Sequence, residues 1–452
     1  MKNKSDFIRS LAILASGSVI GAIITAVAEI ARTWIFSPET VGIYTFLLAF
    51  PLMFIAVPSL RFDIAVVVEK DEHRALALVK LSFWLLIAVS VLVTAAFSVF
   101  IFAFHPDYAV YWYTIPLCFV IVAGYGINNV LNAYNNRNKE YKEISRRYVI
   151  RTAAQSFTAL ALGLLLVKLL KLEGLSVLVM MAPYGLGMFV GAWRQARGIR
   201  ARKKEMKAIT QREMWEAAKS HKKQALYSTP ALFVNSYSYT CITLQIEDIF
   251  DNATLAFYSI SNRVLGMPIA LISGNVAKVY IEEAAKEYQQ TGKFFNATKK
   301  TLLFLSAMAV PMLLAMIFLA PPICDVVLGE KWHVAGEYIR ILAVMFAFRL
   351  VGTAMSQSLA VCKRQGIELA VNLGLVAASL ISGYLTRRVG GDIYYFLKWI
   401  CFSRSACYVF LIGAVVFCSL GTKKSRTKCG LSEKVTDRAE SVIPETNGGR
   451  EK

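Results

Sequence analysis

The chain has 452 residues, 56% of them hydrophobic and only 18% charged, a balance too apolar for a soluble domain whose whole surface must face water. Its formal net charge of +20 would suggest nucleic-acid binding in a soluble protein. Here the lysines and arginines fall mainly in alternate short segments beside apolar runs, with no basic face interleaved with exposed aromatics, and this excludes a nucleic-acid partner.

A hydrocarbon core about 30 Å thick needs roughly 20 apolar residues per crossing helix. Runs of that length predict an all-α membrane protein with about twelve spans, near 10–34, 41–59, 80–104, 112–134, 148–167, 175–193, 224–247, 255–275, 301–320, 338–360, 368–386 and 394–418. The first run follows the basic MKNKSDFIRS segment and continues through Trp34 without a convincing cleavage site, so it reads as a retained helix. Placing both termini in the cytoplasm puts the great majority of the loop lysines and arginines inside.

The basic segment Arg194–Lys223 divides the chain into two halves of six spans, 1–193 and 224–420, followed by a polar tail, 421–452, expected to be disordered. ETVGIYTFLLAFPL after span one is echoed by NATLAFYSISNRVLGMP after span seven. Parallel six-helix repeats of this kind predict two pseudo-symmetric bundles around a midplane cavity opened alternately to each side.

An ionised side chain inside the bilayer costs roughly 2.5–3.5 kcal/mol on insertion scales, so those that occur there mark a polar cavity or a partner. In span one, Glu29 and Arg32 are three apart and close enough to pair. Arg61 and Asp63, beyond span two, are two apart and cannot face the same way. Arg263 in span eight and Arg349 in span ten lie within apolar runs with no acid one turn away, and they are the strongest functional signals. They read as an anion site, with a hydrogen bond to a neighbouring helix carbonyl as the plain alternative. Arg32 and Arg61 are secondary members, since pairing or snorkelling explains them equally well. Arg151, Lys398 and Arg404 read as interfacial residues.

Guanidinium groups converging on a wet cavity suit phosphate or diphosphate oxygens and repel cations. Glu29, Asp63 and Glu247 are the candidate acids for ion coupling, with simple pairing as the alternative. His105 and His333 fall in outside loops and read as solvated. The eight cysteines lie mostly in apolar segments without metal-ligand spacing, and neither a metal site nor a cofactor is expected.

Four stretches distributed along nearly the whole chain resemble the oligosaccharide flippase family, the O-antigen and exopolysaccharide branch of the multidrug/oligosaccharidyl-lipid/polysaccharide exporter superfamily. They are SPETVGIYTFLLAFPLMFIAVPSLRFDIAVVVEKDEHRALALVKLS with Arg61, Phe62 and Asp63, YSTPALFVNSYS, NATLAFYSISNRVLGMPIALISGNVAKVYIEEAAKEY with Asn262, Arg263, Gly266 and Pro268, and LGEKWHVAGEYIRILAVMFAFRLVGTAMSQSLAV.

The resemblance implies two bundles flanking a cationic cavity and transfer of an undecaprenyl-pyrophosphate-linked oligosaccharide between leaflets of a bacterial inner membrane. Membrane lipids and other polysaccharide-assembly membrane proteins would be its partners. The related lipid II flippases carry cavity arginines in spans one, two and eight, where Arg32, Arg61 and Arg263 fall here. A cation-coupled drug exporter of the same superfamily is the alternative, disfavoured by the arginines. A membrane glycosyltransferase or polymerase would need a catalytic acid or base near a large outside loop, and all the outside loops are short, so no enzymatic activity is expected.

Overall fold

A computed structural model describes residues 2–421 apart from 223 and 363, and the expected tail lies outside the described residues from 422 onward. Helices occur in chain order as α1 (Lys2–Ile35), α2 (Pro38–Met53), α3 (Phe62–Val68), α4 (Glu72–Val99), α5 (Thr114–Arg137), α6 (Tyr141–Leu162) and α7 (Ser176–Gly187). Four short helices follow, α8 (Ala192–Gln195), α9 (Arg197–Ala201), α10 (Lys203–Ala208) and α11 (Gln211–Ser220). The remainder are α12 (Thr229–Ile249), α13 (Asn252–Thr291), α14 (Phe295–Leu328), α15 (His333–Ser356), α16 (Gln365–Val389) and α17 (Ile393–Ser419).

The protein is all-α, and its long helices match the expected spans one for one. Among the described residues, ten helical segments are long and apolar enough to cross a membrane. Two further helices bring the total to about twelve. Helix α2 is apolar but has 16 residues, about 24 Å at 1.5 Å per residue, and turns through Phe54–Leu60 extend its path. Helix α12 has 21 residues but carries Asn235, Gln245, Glu247 and several serines and threonines, which dilute its hydropathy.

Two compact units emerge from the packing. Among the described residues, the first comprises 2–267, 315–343 and 372–404, and the second comprises 268–314, 344–371 and 405–421. In the first unit α1 lies against α6 through Gly17 and Gly21, a small-xxx-small pair that lets backbones approach closely. A Cβ on Gly21 would sit 2.3 Å from the Tyr148 ring.

The far end of α1 is fixed by the α14–α15 connection. Thr33 O accepts from the indole of Trp332 at 3.1 Å, and the Trp34 indole donates to Val327 O at 3.0 Å. Trp332 is fully buried, and the chain turns into it through Gly329 at φ +96°, a conformation that favours glycine. The same connection faces α13, where the Ser261 hydroxyl donates to Ala335 O at 2.8 Å.

The basic segment after α7 is folded. Ile199, Ile209, Met214, Ala217 and Ala218 share a buried cluster with Leu76, Val79, Val130 and Leu131. Two reciprocal polar pairs fasten α11 and its C-terminal end, His73 Nε2 to Glu213 Oε1 at 3.0 Å and His221 Nε2 to Glu69 Oε2 at 2.9 Å.

In the second unit, Ser273 donates to Leu350 O at 2.8 Å, and Tyr280 meets Thr298 hydroxyl to hydroxyl at 2.9 Å. These bonds join α13 to α15 and to α14.

Candidate functional site

Helices α1 and α13 bring three ionisable side chains together inside the first unit. Arg32 Nη1 donates to Glu29 Oε1 at 2.7 Å, one turn along the same helix. Arg263 Nη1 donates to the other carboxylate oxygen, Oε2. Glu29 therefore bridges two guanidinium groups, and the triad carries a net charge of +1. All three side chains are largely withdrawn from the surface, at 8%, 14% and 27% exposure for Arg32, Glu29 and Arg263.

The pairing of Arg32 with Glu29 follows the sequence expectation. The reading of Arg263 as an unpaired cation does not hold, because its acid comes from α1, 234 residues away in the chain. One turn of a helix shows only local partners, and this partner is tertiary.

The phenol of Tyr44 lies within electrostatic range of Arg32, Arg263 and Glu29, and that of Tyr184 within range of Arg263. Beside the triad is a cavity of about 230 Å³. Glu29 and Arg263 line one part of it, and apolar side chains of α1, α13 and α14 such as Ile30, Ile260, Met267 and Val327 line the rest. The surface the cavity presents is apolar, which suits a hydrocarbon segment beside the triad better than a small soluble ion.

The remaining expected residues are distributed differently. Arg61 is half-buried in the turn before α3, with left-handed backbone at φ +63°, and its Nε has no hydrogen-bond partner among the described residues. Asp63 does not pair with it, as the spacing predicted, and accepts instead from Ser59 at 2.7 Å. Arg349 lies in the second unit, with its guanidinium carbon 5.1 Å from the centroid of Phe346.

Glu247 accepts from the Tyr108 hydroxyl at 2.8 Å and approaches His105 Nδ1 at 3.9 Å, so two residues read separately in the sequence share one cluster. His105 is only 22% exposed and packs on Phe46 and Phe100, which corrects its reading as a solvated loop residue. His333, half exposed, holds Asp325 at 2.8 Å.

Arg404 also departs from its interfacial reading. It is 1% exposed, donates to Ser238 O at 2.6 Å and Ser379 Oγ at 3.0 Å, and lies over the Tyr239 ring. These bonds fasten α17 to α12 and α16. Lys398, in contrast, is exposed. No group of three metal-ligating side chains occurs among the described residues.

The sequence reading missed Tyr44, Tyr184 and Arg147. Tyrosines in apolar spans are common and carry little signal alone. Arg147 and Arg151, one turn apart on α6 with like charge, were a legible signal, because such spacing is unfavourable unless something anionic compensates it.

A profile described as "Polysaccharide biosynthesis protein" matches residues 30–337, more than half of the chain. The chain belongs to this polysaccharide biosynthesis protein family. Solved structures with the same fold include a lipid II flippase MurJ in an inward closed conformation, at a TM-score of 0.70 and 12% identity, covering 97% of this chain and 94% of that one.

They also include an outward-facing multidrug resistance MATE family transporter of the MOP superfamily, at 0.59 and 15%, covering 93% of this chain and 96% of that one. A third is a MOP superfamily transporter from Pyrococcus furiosus, at 0.58 and 13%, covering 90% and 94%. No curated protein matches the chain. At these identities the structural likeness shows the fold alone. The chain thus belongs to the polysaccharide biosynthesis protein family and shares its fold with a lipid II flippase and with MATE family transporters, in line with the resemblance of the four sequence stretches.

Proposed function

We propose that this polysaccharide biosynthesis protein translocates an undecaprenyl-pyrophosphate-linked oligosaccharide across a bacterial inner membrane by alternating access. Its product would be used for surface polysaccharide, whether O-antigen, capsule or exopolysaccharide. The two six-span halves, 1–193 and 224–420, form the moving bundles, and both termini face the cytoplasm. The protein performs no bond chemistry on its cargo.

The observation that carries this reading is the carboxylate of Glu29 bridging Arg32 and Arg263. A carboxylate seated between two guanidinium groups occupies the place that a more highly charged oxyanion would take. Diphosphate oxygens accept bidentate guanidinium bonds and carry more charge than the single carboxylate. The adjoining apolar cavity supplies a surface for the prenyl end of the same molecule. Arg61 and Arg349 are further candidate ligands for the diphosphate, and Glu29, Asp63 and Glu247 are the acids through which proton or cation coupling would act. The same triad disfavours a cation exporter, whose cargo two arginines would repel.

The test is complementation of a deletion strain with Arg263→Ala and Arg263→Lys, at matched protein abundance. The expected result is loss of surface polysaccharide with Ala and partial recovery with Lys, which keeps the charge but not the fork. Full recovery with Ala would remove the anion-binding mechanism.

A further inference from the structure

A second cationic cluster lies in the first unit, on α6. Arg147 is 4% exposed and engages three of its five donors, with Nη1 on Gln195 Oε1, Nη2 on Met188 O at 2.8 Å and Nε on Val190 O at 3.4 Å. All three acceptors are neutral. No carboxylate pairs with it among the described residues, and its buried charge is met by neutral oxygens alone, two of them carbonyls at the C-terminal end of α7.

Arg151, one turn further along α6, has its Nε buried without a hydrogen-bond partner among the described residues, and its Nη1 reaches only the Met188 sulfur at 3.6 Å. Like charges at this spacing repel, and the ring of Tyr148, 5.3 Å from the Arg151 guanidinium carbon, offers partial relief.

Beside Arg147 is a separate cavity of about 100 Å³, lined by Ser18, Asn128, Asn132, Ile144, Ser145 and Tyr148 as well as by Arg147 itself, with Arg151 behind the Tyr148 ring. This exceeds the roughly 30 Å³ share of a liquid water about threefold, enough for one phosphate-sized group. The wall carries hydroxyl, amide and guanidinium donors and no carboxylate. Gln195, which holds Arg147, also donates to Asn132 Oδ1 at 2.9 Å, so the arginine and the amide wall are positioned together.

We propose that Arg147, with the amide and hydroxyl wall formed by Asn128, Asn132 and Ser145 and with Arg151 adding its charge from one turn away, makes a second phosphate-binding site, distinct from the Glu29, Arg32 and Arg263 triad. Resting on the proposed function, it serves as a reception site where the cargo diphosphate is held before transfer to the triad. The hydroxyls of Tyr125 and Tyr184, hydrogen-bonded to each other, lie within electrostatic range of Arg151, and Tyr184 is also within range of Arg263. They provide the polar stretch between the two sites.

The experiment titrates inorganic pyrophosphate into full-length protein in neutral detergent by calorimetry, and farnesyl diphosphate into the protein in phosphatidylcholine nanodiscs. Wild type is expected to bind two pyrophosphates per chain. Arg151→Gln is expected to weaken one of them about tenfold, the loss of a positive charge close to a bound oxyanion. Asn128→Leu, which fills the cavity without touching any bond of Arg147, is expected to do the same.

If both variants keep the wild-type thermal transition and still bind two pyrophosphates with unchanged affinity, the second site is refuted. If Arg263→Ala leaves two sites intact, the triad reading fails while this one stands. Farnesyl diphosphate filling both sites supports the reception role. Its binding at the triad alone, with pyrophosphate at both, assigns the second site to free phosphate and overturns that role.

Discussion

Replacing Glu29 by glutamine removes the one negative charge between Arg32 and Arg263 while keeping the size and one acceptor oxygen. The two guanidinium groups bond different oxygens of one carboxylate, which places them roughly 6 Å apart. At an effective dielectric of about 20, two unit charges at that distance repel by about 3 kcal/mol. Removing one partner of a buried ion pair costs on the order of 3–5 kcal/mol, so the substitution is expected to destabilise the protein by about that much. Adding Arg263→Gln to Glu29→Gln then restores part of the loss, since the repulsion disappears with the second charge.

The assay is thermal unfolding of purified protein in detergent, with and without farnesyl diphosphate. Glu29→Gln alone is expected to show a lowered transition and a larger upward shift on adding the diphosphate than wild type, because no internal carboxylate competes for the arginines. An unchanged transition together with an unchanged ligand shift would refute the bridging role. So would a double variant less stable than Glu29→Gln.

Gly21→Leu is expected to lower the thermal transition by forcing α1 from α6, because even a Cβ at this position would lie 2.3 Å from the Tyr148 ring. Overpacking of this kind costs about 1–3 kcal/mol or more, and Tyr148→Ala should relieve it. Trp332→Ala removes a fully buried indole and its bond to Thr33 O, and is expected to cost about 3–5 kcal/mol while freeing the end of α1, measured as faster amide exchange at Thr33 to Ile35.

On the basic linker, hydrogen bonds from the Thr210 backbone and hydroxyl, then from His73, pull Glu213 down to about 2. A depressed carboxyl stabilises the α11 cap above its ordinary value near 4.5, and this contribution is lost as pH falls from there toward about 2. Thr210→Val should move the loss of amide protection in α11 to higher pH, read by hydrogen exchange.

The sequence by itself determined the solvent of this protein and the number and order of its spans. Hydropathy and helix length are local quantities, and a run of apolar residues must form a helix in lipid because its backbone groups have no other partners there. The pairing of Arg32 with Glu29 was legible for the same reason, being three residues apart on one helix. So was the failure of Arg61 and Asp63 to meet, at a spacing that points them apart.

Tertiary structure alone decided that Arg263 shares the same carboxylate, that Arg404 is buried on Ser238 and Ser379, and that Glu247 lies near His105. Each of these depends on which helices are neighbours and how they are rotated. Interior packing and long-range polar bonds set that choice, through the Gly17 and Gly21 approach to α6 and the Trp332 anchor on α1. A charge in an apolar run announces that something must compensate it. Which group does so is a property of the neighbouring helix, and no periodicity within the run contains it.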